Sequence, residues 1–415
     1  MQPEKYKYLI IGGGVAGTTA AETLRQNDKK SRIGIVSDEP HLFYSRIMLS
    51  KPNFFLGKIP FDQIWLRKAE WYEKNKIELV SGNLATKLDT STKTITLSNS
   101  QILQYEKLLL ATGGEARSWP LPGALKAGIC YVRDLDQAKE LIENVKTAKQ
   151  AIAIGSGFVS FEMCEMMRMA GLDVTLIMRE PYFWYPLLDE ESAKMIEKGL
   201  EDGGVKILSQ SEVIEIKGEN KIEGVTLKNG NQIPCQLALI GIGLVCNLDW
   251  LKNAGVEINK GIVANEYLET NLPDVYTAGD VAEFNDLVLG ENVQLGNWVN
   301  AQMQGRTAGT NMQGEHKPFR MVSFYTAIGF GLNIAMSGDV RLKPNSKVIK
   351  RGSPEINSFA RIIVDEKDEI IGATFINRTQ DMSPINKLIE SNFKVSGHES
   401  ELSDINFDLK QLLPK

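Results

Sequence analysis

The chain has few cysteines, and none of them is spaced for a metal site. Its 415 residues include four, Cys130, Cys164, Cys235 and Cys246, with no CxxC or CxxxxC pattern. Isolated cysteines of this kind are typical of buried thiols in a reducing compartment. Their scatter argues against a cysteine-ligated metal or iron–sulfur cluster, and we expect no metal site.

Long apolar runs and an excess of basic charge are also missing. The longest apolar run, 237–246, has ten residues and two glycines, about half of the ~20 that a membrane-spanning helix needs. Residues 1–7 are charged and lead directly into the first predicted strand, which leaves no room for a secretory signal. The net charge is −5, whereas general nucleic-acid binders are usually basic. These absences predict a cytoplasmic protein with no membrane span and no nucleic-acid partner.

The length and composition indicate a globular protein of several domains. A chain of 415 residues is too long for one ordinary core, so two or three domains are expected. Hydrophobic residues make up 43% and charged residues 24%, which is usual for soluble globular proteins.

Two glycine-rich turns of the same design each follow a buried apolar run. The first spans 12–17 (GGGVAG) and the second 155–160 (GSGFVS). In a dinucleotide-binding βαβ unit, the first glycine makes the turn and the second lets the backbone approach a pyrophosphate. The third position must be small so that the helix packs on the sheet, and the helix N-terminus then faces the anion. One such match is common, but two indicate a chain that binds two dinucleotides and moves electrons between them.

Both turns lie within predicted βαβ units. Helices are expected over 18–26 and 161–170, and strands follow over 32–37 and 173–178. A further helix is expected over 62–75.

Beyond these units, the sequence predicts a domain boundary and a smaller terminal domain. The Pro-rich joint at 119–123 marks the boundary. From about residue 321, alternating strands and a helix near 384–391 fit a small α+β domain.

Four motifs occur in a characteristic order: Gly12 to Gly17, Ala111-Thr112-Gly113, 155–162 and Thr277-Ala278-Gly279-Asp280. With them, the chain resembles the two-dinucleotide flavoprotein reductases of the pyridine nucleotide-disulfide oxidoreductase superfamily over essentially its whole length. The resemblance implies an α/β fold with two Rossmann-like, glutathione-reductase-like domains and a small α+β C-terminal domain. It also implies FAD on the first βαβ unit and NADH or NADPH on the second.

The resemblance divides the chain into three domains. An FAD-binding domain is expected at 1–118 and 247–320, interrupted by an NAD(P)H-binding domain at 119–246. A C-terminal interface domain is expected at 321–415.

Expected FAD contacts follow from the resemblance, position by position. Asp38 is the expected ligand of the FAD ribose, with Glu39 as the next candidate, and Asp280 matches an aspartate that contacts the ribityl chain. Trp298 would begin a helix whose N-terminus faces the flavin and stabilises its anionic reduced form. The expected FAD contacts are Gly12, Gly14, Val15, Ala16, Gly17, Asp38, Glu39, Arg46, Lys51, Ala85, Ala111, Thr112, Gly113, Arg133, Gly279, Asp280 and Trp298.

The resemblance also implies a catalytic pair. Lys51 matches the lysine that approaches the flavin N5, and Glu162 matches the glutamate that pairs with it and helps orient the nicotinamide carboxamide. The alternative is a surface lysine and a solvated glutamate. Phe158 matches an aromatic residue that covers the nicotinamide side of the flavin, with plain packing as the alternative. The expected contacts of the nicotinamide nucleotide are Gly155, Gly157, Phe158, Val159, Glu162, Arg179 and Gly243.

The choice of nucleotide depends on the residues that follow the second strand of the second unit. NADH enzymes often have a glutamate there, whereas this chain has Met178, Arg179 and Glu180. The planar fork of Arg179 suits the 2′-phosphate of NADPH, but Glu180 would repel the same phosphate. The sequence leaves the choice between NADH and NADPH open.

A thiol relay is not expected. Disulfide-reducing relatives carry a cysteine pair beside the flavin, and peroxidase or oxidase relatives carry one cysteine. The corresponding stretch here, 41–51, has none, and none of the three histidines precedes a proline as in the His-Pro signature of disulfide reductases. Electrons are therefore expected to leave through the flavin itself.

The stretch 44–51 looks most like the ferredoxin and rubredoxin reductases and the flavin module of NAD(P)H nitrite reductases. We expect an FAD-dependent NAD(P)H oxidoreductase that feeds a small rubredoxin- or ferredoxin-type carrier, and the resemblance also allows a homodimer. Ferredoxin reductases usually carry Phe-Trp-Ser-Asp-Gln where this chain has 323–327 (SFYTA). An NAD(P)H oxidase or small-oxidant reductase, and a nucleotide-sensing protein resembling apoptosis-inducing factor, are the alternatives.

Two further segments have an expected role and an alternative. The aromatic run 182–185 (YFWY) is expected to pack at a domain interface, and covering the nucleotide is the alternative. The segment 341–351 has five basic residues and no acid. It is expected to be a solvated hairpin, with a docking strip for an acidic carrier as the alternative.

Overall fold

A computed structural model of the chain describes residues 3–414. Residues 1, 2 and 415 lie outside it, and with them the ends of the first and last predicted domains and the start of the charged stretch 1–7. The helices are α1 Val15–Asn27, α2 Pro52–Phe55, α3 Ala69–Asn75, α4 Leu135–Thr147, α5 Phe158–Met169, α6 Glu190–Asp202, α7 Trp298–Asn311, α8 Met382–Glu390 and α9 Glu399–Ser403.

The strands are numbered in chain order. They are β1 Glu4–Ile11, β2 Ile33–Val36, β3 Ile77–Val80, β4 Ala85–Asp89, β5 Thr94–Leu97, β6 Ile102–Leu110, β7 Glu115–Ala116, β8 Ile129–Cys130, β9 Gln150–Ile154, β10 Asp173–Ile177, β11 Val205–Leu208, β12 Val213–Lys217, β13 Gly224–Leu227, β14 Gln232–Pro234, β15 Leu237–Ile240, β16 Leu244–Val245, β17 Ile262–Ala264, β18 Val275–Thr277, β19 Ala282–Asp286, β20 Glu291–Gln294, β21 Phe324–Gly329, β22 Leu332–Gly338, β23 Lys347–Ser353, β24 Ser358–Val364 and β25 Ile370–Ile376. Short 3-10 segments lie at Arg46–Ser50, Phe61–Ile64, Asp249–Ala254, Pro354–Ile356, Thr379–Asp381 and Leu409–Leu412.

The chain forms two compact units. The first unit comprises Met1–Ser45, Phe61–Glu115 and Leu244–Met321, and the second comprises Arg46–Pro60, Ala116–Gly243 and Val322–Lys415. The three-domain division predicted from the sequence stays a prediction.

The first unit is built on a seven-stranded sheet in the order β3-β2-β1-β6-β5-β4, with β18 also paired to β6. The strands β1, β2, β3, β6 and β18 run parallel to one another. Strand β5 pairs antiparallel with β6 on one side and with β4 on the other. Leu9, Ile10, Leu108 and Leu109 have no exposed surface. Because strands covered on both faces favour continuous apolar runs, these stretches form the centre of the sheet.

The helix predicted over 62–75 is wrong in its first half. Only Ala69–Asn75 is α-helical, and Phe61–Ile64 is a 3-10 turn. The backbone N–H groups of Leu66 and Arg67 donate to the carbonyl of Phe43 at 2.9 and 3.3 Å. A contact with a distant part of the chain thus replaces the local hydrogen bonds that a continuous helix would need.

The second unit repeats the parallel design. Its main sheet has the order β11-β10-β9-β15-β8, and every pairing in it is parallel. Helix α5 leaves β9 at the second glycine turn, and its buried residues Phe161, Met163 and Cys164 belong to the unit's main apolar core. A small antiparallel sheet, β12-β13-β14, accompanies it.

The second unit also contains an antiparallel sheet from the last part of the chain. Its order is β21-β22-β25-β24-β23. Helix α8 contributes Ile385, Leu388 and Ile389, all buried. The strands predicted at 358–364 and 370–376 have these bounds in the structure, and the antiparallel sheet with its helix has the α+β composition expected of this region.

Candidate functional site

In the first unit, the glycine turn packs directly against the end of β6. Gly12 adopts φ 122°, and its N–H donates to the carbonyl of Val36 at 2.8 Å. A Cβ on Gly12 would lie 2.0 Å from the carbonyl oxygen of Ala111. A Cβ on Gly17 would likewise lie 2.0 Å from the carbonyl oxygen of Gly12. These two positions therefore require glycine for packing within the protein itself.

Gly14 differs from its neighbours. It is the N-cap of α1 with extended backbone (φ −73°, ψ −170°), and a Cβ there would meet no protein atom within 4 Å. Val15 and Ala16 follow in the first turn, whose N–H groups have no helical acceptor. Space and open donors together fit a pyrophosphate group at this point.

The two acids after β2 lie in different surroundings. Asp38 is exposed, and its carboxylate accepts the N–H of Glu39 at 3.1 Å. Glu39 is half-buried, and the hydroxyl of Tyr44 donates to its carboxylate at 2.6 Å. The order of the two candidates for the FAD ribose, Asp38 before Glu39, stays a prediction.

The other expected FAD contacts of the first unit begin or follow strands. Ala85 is the buried first residue of β4, and Ala111 follows β6 directly. Thr112 is exposed, and Gly113 has φ 66°. Ala111, Thr112 and Gly113 follow the carboxyl end of β6, where ligands of α/β sheets bind. Ala85 lies at the amino end of β4, and its contact with FAD stays a prediction.

Gly279 and Asp280 are held from two sides. The N–H of Gly279 donates to the side-chain oxygen of Gln304 at 2.8 Å, and a Cβ on Gly279 would lie 3.2 Å from that of Ala16. The carbonyl of Asp280 accepts the side-chain amide of Gln294 at 2.8 Å. These contacts fix the backbone that presents the Asp280 side chain.

Trp298 begins α7 as predicted, and Asn297 caps the helix by accepting the N–H of Asn300 at 2.7 Å. The Trp298 ring stacks on Phe43 with the centroids 5.9 Å apart. Two glycines of α7, Gly305 and Gly309, were missed by the sequence analysis.

These two glycines bring α7 against α1. A Cβ on Gly305 would lie 2.2 Å from the carbonyl oxygen of Ala16, and one on Gly309 would lie 2.9 Å from that of Ala20. Their spacing of four residues places them on one helix face. That spacing is the signal by which the sequence could have revealed a close helix pair behind the first glycine turn.

The second glycine turn repeats the first in the second unit. Gly155 has φ 103°, and a Cβ there would lie 2.5 Å from the carbonyl oxygen of Gly241. Gly157 is the N-cap of α5, and a Cβ on it would meet only the same oxygen, at 3.9 Å. Ser160 in the third position is fully buried. The turn therefore has one glycine fixed by packing and one that faces open space.

A cavity of about 730 Å³ opens at this turn. Five of the predicted nucleotide contacts line it: Gly155, Gly157, Phe158, Arg179 and Gly243. Val159 is 37% exposed, and its role stays a prediction. The cavity walls also include residues that the sequence analysis did not assign, among them Arg117, Trp119, Ser211, Glu212, Gly241 and Ile242.

The aromatic run 182–185 divides between two roles. Trp184 and Tyr185 line the cavity, whereas Phe183 is fully buried in the apolar core. The Phe158 ring contacts Trp184 at a centroid distance of 4.5 Å and stacks on Tyr325 at 5.5 Å.

Lys51 and Glu162 meet within the second unit. Lys51 Nζ donates to Glu162 Oε1 at 2.5 Å, and the hydroxyl of Ser50 donates to Glu162 Oε2. The side chains of Lys51 and Glu162 are 34% and 14% exposed, so solvent screens the pair only in part. The arrangement differs from the alternative of a free surface lysine and a solvated glutamate.

Arg46 and Arg133 also come together in the second unit. The Arg46 guanidinium donates to the carbonyl of Arg133 at 2.7 Å. The N–H of Arg133 donates to the side-chain oxygen of Gln137 at 3.0 Å. Whether these arginines contact FAD stays a prediction from the resemblance.

The basic segment 341–351 is not a free cationic strip. Arg341 and Lys343 pair with the buried carboxylate of Asp339 at 2.7 and 2.9 Å, and Lys350 pairs with Glu191 at 2.5 Å. Arg351 is buried and pairs with Asp381. The sequence showed no acid within the segment, but three acids from elsewhere pair with four of its five basic residues.

Three of the four thiols are buried. Burial raises the pKa of Cys164 and of Cys235 to about 12 and that of Cys130 to about 11. Cys246 is half-buried in the first unit, 3.8 Å from the carbonyl oxygen of Asp280.

The described residues contain neither a candidate metal cluster nor a candidate membrane span. No cluster of three or more His, Cys, Asp or Glu side chains suited to a metal ion was found over residues 3–414. Within the same residues, no helix has the length and apolar character needed to cross a bilayer.

Comparison with known proteins agrees with this architecture. The model of the pyridine nucleotide-disulphide oxidoreductase family matches residues 6–305, and that of the reductase C-terminal region matches 329–413. The ferredoxin reductase for the CYP199A2 system from Rhodopseudomonas palustris superposes with a TM-score of 0.91 and 27% identity, covering 98% of this chain and all of the other. The predicted fold class and superfamily are confirmed.

Two relatives of known activity differ in length. The NAD(P)H nitrite reductase of Bacillus subtilis (strain 168) is 28% identical over 395 residues, which cover 94% of this chain and 48% of the relative. The chain therefore spans about half the length of that relative. The ferredoxin–NAD(+) reductase component of the biphenyl dioxygenase system of Paraburkholderia xenovorans (strain LB400) is 27% identical over 405 residues, 97% of each chain.

Two glycine turns, each with one glycine facing open space, therefore lie in a chain whose residues 6–305 match one family model. The chain belongs to the pyridine nucleotide-disulphide oxidoreductase family, whose members use FAD and NAD(P)H.

Proposed function

We propose that this chain is a reductase that takes electrons from NAD(P)H and passes them through FAD to a small redox protein of the rubredoxin or ferredoxin type. Relatives that match it over nearly their whole length, such as the ferredoxin–NAD(+) reductase component above, support the proposal. FAD, when bound, supplies the acceptor for a hydride from the nicotinamide and releases the electrons onward.

The first unit has groups that fit FAD. Gly14 and the first turn of α1 leave open space and unpaired N–H groups for the pyrophosphate. Asp38 and Glu39 follow the neighbouring strand β2 and supply carboxylates for ribose hydroxyls.

The second unit has groups that fit the nicotinamide nucleotide. The cavity at Gly155–Gly157 has a volume in the range of small-molecule sites. Arg179 and Glu180 both line it, so it carries a cation suited to the 2′-phosphate of NADPH and a carboxylate suited to the ribose of NADH.

The observation that carries the proposal is the Lys51–Glu162 pair. Glu162 lies on α5, whose N-terminus is the glycine turn, so one helix holds both the dinucleotide anchor and the carboxylate. Lys51 and Ser50 hold that carboxylate from two sides. Hydride transfer depends on alignment more than on proton transfer, and a fixed carboxylate that orients the carboxamide would serve it.

The thiols support direct exit of electrons from the flavin. Cys130, Cys164 and Cys235 are buried, with pKa values well above neutral, so they present no thiolate for a relay. The cytoplasmic location and the homodimer stay predictions.

The proposal is tested by anaerobic reduction of the purified holoprotein. We expect a yellow protein whose flavin absorbance bleaches rapidly on addition of NADH or NADPH and returns on addition of an oxidised rubredoxin or ferredoxin. A protein that holds no FAD, or a reduced flavin reoxidised only by oxygen, would count against it. Values of kcat/KM for both nucleotides, in the wild type and in Arg179→Ala, give the preference, and a strong preference for NADH removes the role of Arg179.

A further inference from the structure

Arg179 lines two cavities of the second unit, whereas Glu180 lines one. Both residues line the cavity at Gly155–Gly157. A second cavity of about 450 Å³, here called the outer cavity, has Arg179, Ser211, Glu212, Lys228 and Asn229 among its lining residues. The two cavities share Arg179, Ser211 and Glu212, so they meet at these residues. A ligand group that extends past Arg179 into the outer cavity therefore leaves Glu180 behind.

Backbone hydrogen bonds connect the walls of the outer cavity. The N–H of Ser211 donates to the carbonyl of Met178, the residue before Arg179, at 2.9 Å. The N–H of Lys228 donates to the carbonyl of Glu212 at 2.8 Å. Two neighbouring residues, Ser211 and Glu212, thus tie the end of β10 to the end of β13. They bring Arg179 and Lys228, which are far apart in the chain, to one cavity.

The outer cavity carries an excess of positive charge, although the whole chain is acidic. Its charged lining residues are the cations Arg179 and Lys228 and the carboxylate Glu212. Lys228 pairs with Glu212 at 3.2 Å, and their side chains are 74% and 45% exposed. Arg179 is exposed, and its guanidinium has no hydrogen bond or ion pair with another residue of 3–414. Because exposed ion pairs stabilise little, an anionic ligand can replace Glu212 as the partner of Lys228.

The position of these cations in the sheet indicates which part of a nucleotide they meet. Strand β10 lies beside β9, whose carboxyl end is the second glycine turn. In a dinucleotide-binding βαβ unit the pyrophosphate lies at that turn, and the adenosine ribose lies at the end of the second strand, here β10. NADPH carries a phosphate on the 2′-oxygen of this ribose, and NADH does not. Under the proposed function, the 2′-phosphate is therefore the anion that lies at the outer cavity.

We propose that Lys228 binds the 2′-phosphate of NADPH together with Arg179, and that this contact makes NADPH the preferred electron donor. The assignment rests on the proposed function, because it requires a nicotinamide nucleotide at the second glycine turn. Arg179 supplies a planar donor fork and Lys228 a compact charge. Glu212 holds Lys228 until the phosphate takes its place. Since Lys228 follows β13, the residues 178–180 gave no sign of it in the sequence.

The test is calorimetric binding of NADP⁺ and NAD⁺ to the FAD-containing protein, the wild type against Lys228→Met. The two probes differ only in the 2′-phosphate, and neither can deliver a hydride. We expect the wild type to bind NADP⁺ roughly tenfold or more tightly than NAD⁺. Lys228→Met should bind NADP⁺ roughly five- to twentyfold more weakly than the wild type, the effect of one charge-assisted contact, and should bind NAD⁺ within about twofold of it.

The matched control is Lys217→Met. Lys217 lies on β12 of the same small sheet and pairs with Glu215 at 2.8 Å, but it lines neither cavity. This control should change both affinities by less than about twofold. A second variant, Glu212→Gln, removes the carboxylate that competes with the phosphate for Lys228, so it should bind NADP⁺ more tightly than the wild type. Weaker binding of NADP⁺ by Glu212→Gln would contradict this competition.

Steady-state rates give a second readout, since the ratio of kcat/KM for NADPH to that for NADH should fall in Lys228→Met by the same factor as the NADP⁺ affinity. Equal binding of NADP⁺ by Lys228→Met and wild type overturns the inference, and so does an equal loss of NADP⁺ and NAD⁺ binding. A wild type that binds NAD⁺ as tightly as NADP⁺ also overturns it, while the proposed function stands. A wild type that binds neither probe, and whose flavin neither NADH nor NADPH reduces, overturns the proposed function as well.

Discussion

Lys51 and Glu162 are 111 positions apart in the chain, and their charged groups lie 2.5 Å apart within one compact unit. Lys51 follows a 3-10 turn and caps the short helix α2, whereas Glu162 lies in the second turn of α5. Two separate elements therefore position the pair, and a substitution of either residue breaks the contact.

Replacement of Glu162 by glutamine should slow hydride transfer while leaving FAD in place. The amide keeps the shape of the side chain but loses the charge that Lys51 and Ser50 hold. Misalignment at a reacting centre costs up to about 100-fold, so we expect flavin reduction roughly 10- to 100-fold slower in stopped-flow absorbance. Lys51→Met should act in the same direction, and the exposed neighbour Lys58, changed to Met, is the control. If the flavin of Glu162→Gln is reduced at the wild-type rate, the Lys51–Glu162 pair does not contribute to hydride transfer.

Alanine at each of the two N-cap glycines, Gly14 and Gly157, should impair the binding of a different cofactor. Neither Gly14 nor Gly157 would bring a Cβ within 3.5 Å of the protein, so Gly14→Ala and Gly157→Ala should both fold. Alanine is a poorer N-cap, by about 1 kcal/mol or less. We expect Gly14→Ala to lose FAD, because the methyl group would meet the pyrophosphate, and Gly157→Ala to keep FAD but lose nucleotide affinity.

FAD content by absorbance and nucleotide affinity by calorimetry separate the two variants. Gly12→Ala and Gly155→Ala form the contrasting pair, since a Cβ there would lie 2.0 and 2.5 Å from carbonyl oxygens of the protein. These two should lower the melting temperature instead. Loss of both cofactors in Gly14→Ala without a change in melting temperature would contradict separate binding turns.

The thiols should be dispensable. Cys164 and Cys235 have pKa values raised to about 12 by burial, so at pH near 8 they hold almost no thiolate, and iodoacetamide should label Cys246 before the others. Mass spectrometry of the labelled protein gives the site. Cys246→Ser should then resist labelling and still reduce a rubredoxin or ferredoxin at a rate close to that of the wild type. If Cys246→Ser keeps FAD and is reduced by NAD(P)H, yet fails to reduce the carrier, then Cys246 takes part in a thiol relay.

The sequence predicted the elements whose signals are local. The strand-turn-helix units at Gly12 and Gly155 appear within a few residues of the predicted bounds, because apolar runs and glycines determine them directly. The contact of Lys51 with Glu162 followed from a family resemblance and not from spacing, since nothing local relates residues so far apart.

Features that depend on distant partners were not predictable in the same way. The helix expected over 62–75 is interrupted because Leu66 and Arg67 bond to Phe43. Nothing within the segment 341–351 indicates that Asp339, Glu191 and Asp381, which lie outside it, pair with four of its basic residues. The run 182–185 gave no sign that Trp184 faces a cavity while Phe183 enters the core.

Asp274 should stabilise the first unit in a pH-dependent way. Hydrogen bonds from Lys93 and Lys107 lower the pKa of its carboxyl below the usual value. The three side chains are 29–42% exposed, so the pair of contacts contributes about 1 kcal/mol or less to the free energy of unfolding. Asp274 has φ 64°, a conformation that asparagine tolerates well, which makes Asp274→Asn a substitution without added backbone strain.

The lowered pKa of Asp274 determines how its contribution to stability changes with pH. A carboxyl whose pKa is lowered in the folded state contributes stability above its unfolded pKa of about 3.9, and the contribution is lost as pH falls through the folded pKa. Urea unfolding should therefore show the wild type more stable than Asp274→Asn by a constant amount between about pH 5 and 7, with the difference shrinking below about pH 4. The variant Asp249→Asn, which alters an exposed i,i+3 pair with Lys252, is the control and should differ little from the wild type at any pH. A difference for Asp274→Asn that persists unchanged to the lowest pH would mean that the carboxylate's charge is not what stabilises the fold.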